Sequence, residues 1–171
     1  MASKSASLVE MAAQKPAAPW QFGLTAADRL ALEKIRDFFA AARGRPRVMA
    51  WASAPQVTDD LVTRETLLRA WSGGRPLPLA WAARRALAMA RYAGRRADVV
   101  DLTPARLREI HAAAAASVEP RRGVPLTPWS IIFGPHDWLD LEAVKERHGL
   151  RYDSQALRFA IQTAARMLED A

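Results

Sequence analysis

Apolar positions recur at helical spacing along most of the chain and change to a short continuous run only near its end. Thr25 reads as a helix cap with Asp28 three positions on, the arrangement of a capping box. Ala31, Ile35, Phe38 and Ala42 then share a face, which Leu32 and Phe39 widen, until Gly44 and Pro46 stop the helix. Thr63 reads as the cap of a second helix with Leu67, Leu68 and Trp71, closed by Gly73-Gly74. After the turn Arg75-Pro76-Leu77-Pro78, the stretch Leu79 to Ala93 sets Ala80, Ala83, Leu87 and Ala90 on a small-residue face, with Trp81 and Met89 beside it. Thr103-Pro104 opens another helix, a cap with proline at the first helical position. Its buried side is Leu107, Ile110 and Ala114. Val48 to Trp51 fits either a strand or the start of a helix.

The segment before the first helix, residues 1–22, reads as a mobile tail with at most a frayed helix between Ser7 and Gln14. Trp20 and Phe22 are expected to dock this tail onto the helical domain, with a partner-binding patch as the alternative. Residues 118–128 hold Pro120, Arg121, Arg122, Gly123, Pro125 and Pro128 and read as a linker. Beyond it Trp129 to Phe133 is short, apolar and β-branched, as a strand requires. Gly134-Pro135 ends it, and Asp137 reads as the cap of a helix with Trp138, Leu141 and Val144 on one face. Gly149 suits a left-handed C-cap. Asp153 or Ser154 caps a last helix with the stripe Leu157, Ala160, Ile161, Ala164 and Leu168. The expected class is mainly α: a helical bundle over 23–117, a linker over 118–128 and a strand-helix-helix module over 129–171.

The pieces Ile131-Ile132-Phe133, Pro135 to Leu141, Gly149 and Ser154 to Ile161 give that module its order. On them it resembles the ribbon-helix-helix family of small dimeric repressors, over about a quarter of the chain. The resemblance implies that two strands from two subunits pair into a ribbon that enters the major groove. Ser130 and Ile132 would then face the groove. The backbone near Ser154, with Arg151 beside it, would hold a phosphate at a helix N-terminus, and Ile131, Phe133, Leu157, Ile161 and Leu168 would form the dimer. The strand departs from the family pattern in offering only Ser130 as a polar side chain between Trp129 and Ile131. A second, shorter stretch, Leu68 to Pro78, is similar to the end of a phage-repressor-type helix-turn-helix domain. It would make Arg64, Thr66 and Arg69 face a groove.

Composition adds a charge argument. The formal charge is +7 and the pI near 10.7, with four Lys against twenty-one Arg. A surplus of basic side chains favours a polyanion, most simply nucleic acid. Arg84, Arg91 and Arg95 share a helix face flanked by Arg85 and Arg96, and no acidic residue lies between Glu65 and Asp98. That makes the stripe the leading phosphate-tracking candidate, with Arg121 and Arg122 as a further pair and the loop Arg43, Arg45, Arg47 as another. The chain has no cysteine, which excludes disulfides, thiolate nucleophiles and cysteine-bound metals. His111, His136 and His148 lie on separate elements without metal-ligand spacing. Asp137, Asp140 and Glu142 read as helix-start residues rather than a metal site. Neither a phosphate loop nor a nucleophile elbow occurs.

The expectation is a cytoplasmic, non-enzymatic protein without cofactor or metal that binds double-stranded DNA as a homodimer, a repressor or a plasmid or phage accessory factor. No membrane segment is expected. The alternative is a helical adaptor or assembly protein that binds a protein partner through exposed Trp residues.

Overall fold

The computed structural model describes residues 2–13, 15, 18–53, 61–93 and 99–171. Among them the order is α1 (Ala2–Ala13), β1 (Trp20–Leu24), α2 (Ala26–Ala40), α3 (Pro46–Ser53), α4 (Leu61–Gly73), α5 (Leu79–Tyr92), α6 (Pro104–Ala115), β2 (Thr127–Ile131), α7 (Pro135–Arg147) and α8 (Asp153–Glu169). The chain is mainly helical, as the spacing predicts, and the ambiguous run at Val48 is helix α3.

α8 lies at the centre. Its face buries Ala156, Leu157, Phe159, Ala160, Ile161, Ala164 and Met167, and it packs against α2, α5, α6 and α7. Leu32, Ile35 and Phe39 of α2 are fully buried on the other side of this contact, worth about 1.5–3 kcal/mol each in transfer free energy. One apolar cluster runs from Phe22 in β1 through α2 and α5 to Leu168 in α8. Residues 118–128 therefore connect two parts of one core along the surface and do not divide two cores. The stripe on α8 is too wide to be covered by α7 alone, so the module closes on the bundle.

The strand finds its partner within the chain. β1 and β2 pair antiparallel, Trp20 opposite Ile131, Phe22 opposite Trp129 and Leu24 opposite Thr127. The sequence assigns Trp20 and Phe22 to docking a tail or to a partner-binding patch; with Leu24 their period-two spacing is that of a strand with one buried face. Trp20 lies 5.8 Å from Phe133 and 5.6 Å from Trp138, centroid to centroid, and these rings seal the inner face. The expected mobile tail is also corrected by α1, a helix packed on α7 with Ala12 buried.

Several helix starts differ from expectation. Thr63 lies inside α4, and its carbonyl accepts from Trp81 Nε1 at 2.7 Å. Asp137 is the third residue of α7, not its cap, and accepts the Gly134 N–H at 2.8 Å. Tyr152 precedes α8, where Gln155 Oε1 accepts the N–H groups of Arg151 and Tyr152 at 2.9 and 3.1 Å. The two threonine caps at Thr25 and Thr103 stand as read. Thr25 exchanges hydrogen bonds with Asp28 at 3.0 Å each way, and Thr103 Oγ1 accepts the Arg106 N–H at 3.2 Å.

Candidate nucleic-acid interface

The arginine stripe of α5 faces α7, and the acids missing from its own neighbourhood in sequence arrive from that helix. Arg84 Nε lies 3.2 Å from Asp137, and its guanidinium also donates to the Ile132 carbonyl. Arg91 donates to Asp140 at 2.6 Å. Arg85 is buried, its guanidinium 3.9 Å from the centroid of the Trp51 ring. Arg95 and Arg96 lie outside the described residues. The three described arginines thus tie α5 to its neighbours, and the expectation that they track phosphates is withdrawn. Proximity in sequence could not reveal an acid some fifty residues away.

The ribbon's outer face is different. Side chains alternate across a strand, so with Phe22, Trp129 and Ile131 turned inward, Gln21, Ser130 and Ile132 turn out and are exposed. Gln21 Nε2 donates to Ser130 Oγ across the pair. The loop leading into β2 carries Arg121, Arg122, Val124 and Leu126, all exposed. Neither Arg121 nor Arg122 meets a carboxylate among the described residues.

Arg151 is exposed, its guanidinium 5.3 Å from the centroid of the Tyr152 ring, and Ser154 is half-buried. Between them Asp153 already carries negative charge into the first turn of α8, where it accepts from Lys15 at 2.6 Å and Lys145 at 2.8 Å. An anion at this helix end would meet that carboxylate, so the expected phosphate site is not open. Ile131, Phe133, Leu157, Ile161 and Leu168, expected at a dimer interface, are all buried within one chain. On α4, Arg64 is buried with a guanidinium N–H directed at the Trp51 carbonyl (3.4 Å), Thr66 is half-buried, and only Arg69 is exposed. That face does not suit a recognition helix.

The residue that fixes the ribbon is absent from the sequence-based candidates. Arg158 of α8, 5 % exposed, donates to Asp28 at 2.9 Å, to the Gly23 carbonyl at 2.7 Å and to the Val118 carbonyl at 3.2 Å. It thereby joins β1, the start of α2 and the end of α6 to the central helix. The stripe Leu157, Ala160, Ile161, Ala164 and Leu168 does not include Arg158, so the sequence carries no signal that this arginine is buried and paired.

Two further polar groups lie inside. Glu142, 1 % exposed, pairs with Lys145 at 2.9 Å and Lys15 at 3.4 Å. Asp137, Asp140 and Glu142 therefore serve three different partners. Among the described residues no set of three His, Cys, Asp or Glu side chains is placed to hold a metal. His111 and His148 meet edge to face, 4.7 Å between centroids, with His148 4.2 Å from Phe159. Burial first, then the charges of His111 and Arg147, brings His148 down to about 4; burial and Arg147 also lower His111. Neutral imidazoles on Phe159 act as packing.

None of the six Trp residues is exposed: Trp51, Trp81 and Trp138 are buried and Trp20, Trp71 and Trp129 are half-buried. Only Trp20, Trp71 and Trp129 are thus partly accessible for the expected Trp surface of an adaptor. No described helix is long and apolar enough to cross a membrane. No family model matches the sequence, and neither a curated protein nor a solved structure matches it.

Proposed function

We propose that the chain is a DNA-binding protein whose ribbon is complete within one molecule, and that it acts in transcriptional regulation as a repressor or accessory factor. The observation that carries this reading is the outer ribbon face: Gln21, Ser130 and Ile132 are exposed together, and the loop that leads into β2 carries Arg121 and Arg122, exposed and without a carboxylate partner among the described residues. A two-stranded ribbon matches the width of the major groove, where amide and hydroxyl side chains read base edges. Each strand also leads quickly into a helix, β1 into α2 and β2 into α7. One chain therefore carries twice the strand-then-helix order that the resembling family divides between two subunits.

In this reading Arg121 and Arg122 set the register on the phosphates, Gln21 and Ser130 meet base edges, and Ile132 meets a thymine methyl. The test is duplex binding by fluorescence anisotropy over a salt series. Arg121→Ala with Arg122→Ala should weaken binding to all duplexes and lower the salt slope by about one per arginine. Gln21→Ala should relax sequence preference at a cost of about 1–3 kcal/mol on the best site. Equal duplex affinity in parent and double variant would overturn the proposal.

One observation favours a second reading. Val124, Leu126 and Ile132 are exposed at 39, 50 and 54 %, and such residues serve a protein partner as well as a groove. Binding there should be nearly indifferent to salt, whereas phosphate contacts weaken steeply.

A further inference from the structure

A second basic surface lies at the end of the molecule where the α2–α3 and α4–α5 loops meet. Arg43 and Arg45 come from the first loop and Arg75 from the second, and all three are exposed. Two hydrogen bonds hold the loops together. Arg43 Nη1 donates to the Trp71 carbonyl at 3.3 Å, and Trp71 Nε1 donates to the Phe39 carbonyl at 3.0 Å. Gly44 and Gly74, at φ +92° and +78°, let the two turns form, since that region suits glycine. Between the loops is an open groove of about 250 Å³, lined by Ala40, Ala70, Trp71, Arg75, Pro76 and Leu77.

The simplest account of arginines here is that they complement helix C-termini. It suffices for Arg43, which uses one of its five N–H donors on a terminal carbonyl of α4. It does not account for a groove whose lining is apolar and aromatic with Arg75 as its one charged residue. The volume decides what fits. It falls below the ~300–1,000 Å³ of ordinary small-molecule sites, so a complete cofactor is too large and a single flat ring is not. Arg45 does not line this groove: it rests its guanidinium 4.8 Å from the centroid of the Phe38 ring and, with Phe38, lines a separate cavity. Arg47, further along, is paired with Asp101 at 3.1 Å and does not belong to the site.

We infer that this groove takes an unpaired base against Trp71 and Pro76, with the flanking phosphates held by Arg43 and Arg75: a single-strand nucleic-acid site separate from the ribbon. Aromatic rings interleaved with arginines are how proteins hold single strands without reading sequence. Arg43 and Arg75 stand on different loops and so suit two successive phosphates, which favours a strand over a free nucleotide.

The test uses the full chain with a labelled ten-nucleotide oligothymidine, by anisotropy over a salt series, with thymidine monophosphate as competitor. The parent should bind the oligonucleotide with a negative salt slope. Arg43→Ala with Arg75→Ala should weaken it at least tenfold and flatten the slope by about 1.4, at about 0.7 for each single-strand phosphate no longer neutralised. Arg121→Ala with Arg122→Ala should leave it unchanged, which separates this site from the ribbon. Because Arg43 also caps α4, Arg75→Ala alone, whose turn carries no such bond, serves as the variant with an intact fold and should give about half the slope change. No binding by the parent, an affinity untouched by Arg75→Ala, or a monophosphate that competes as well as the oligonucleotide would each overturn the inference.

Discussion

At the scale of single residues, the interior ion pair between Arg158 and Asp28 determines how the first strand is held. The two residues are 5 and 1 % exposed, and the guanidinium also satisfies two backbone carbonyls. Burying such a pair brings little net stability, but removing one member strands the other charge. Arg158→Ala should therefore cost about 3–5 kcal/mol, read as a fall in Tm of about 2–4 °C per kcal/mol. Arg158→Met should cost nearly as much, because a thioether cannot replace the guanidinium and Asp28 loses its counter-charge, keeping only the Thr25 N–H and the Gln162 amide. If calorimetry shows either variant within a degree of the parent, the pair does not hold the fold together. The sequence marks Asp28 as a capping residue and does not single out Arg158. It does not say that the two meet, because they are 130 positions apart.

At the scale of elements, helices are legible wherever an amphipathic face and its stop signals coincide. α2 is readable from Thr25 to Gly44, and α8 from its stripe. β1 is not, because five residues between a proline and a helix cap read equally well as a docked tail, and a strand is defined by a partner as much as by its own pattern. Charge misleads for a related reason. The α5 stripe looks unpaired along the chain, while Asp137 and Asp140 come across a helix interface. The two readings of this stripe differ in outcome. Arg84→Ala with Arg91→Ala should leave duplex affinity within twofold of the parent, while each charge-assisted bond removed from the α5–α7 seam costs about 1.5–3 kcal/mol. Denaturant unfolding beside anisotropy measures both. A large loss of duplex affinity at unchanged stability would restore the stripe as a binding face and displace the ribbon.

At the scale of the whole molecule, basic charge and the histidine pair together set the response to acid. His111 on α6 and His148 at the end of α7 pack on Phe159 of α8, so the pair lies where three helices meet, with Arg147 as the near cation. Burial lowers both imidazoles in the fold, His148 to about 4 against 6.5 when unfolded. The unfolded chain therefore binds protons first as pH falls. Stability is fullest above 6.5 and declines from there toward 4. Asp137 works the other way, since burial raises its carboxyl and protonating it favours the fold. Asp153 and Asp170 are lowered, Asp153 by Lys145 and Lys15 against the opposing effect of burial and Asp170 chiefly by Arg106, so they lose stability only below about 3.8. The window between about pH 7 and 4.5 thus isolates the histidines from those two aspartates. The parent should lose several degrees of Tm across it, and His148→Phe, which keeps an aromatic ring on Phe159 without a titrating nitrogen, should lose markedly less. Equal losses in parent and variant would mean that the pair is solvated when protonated, and that α6 and α7 yield to acid for reasons of net charge alone.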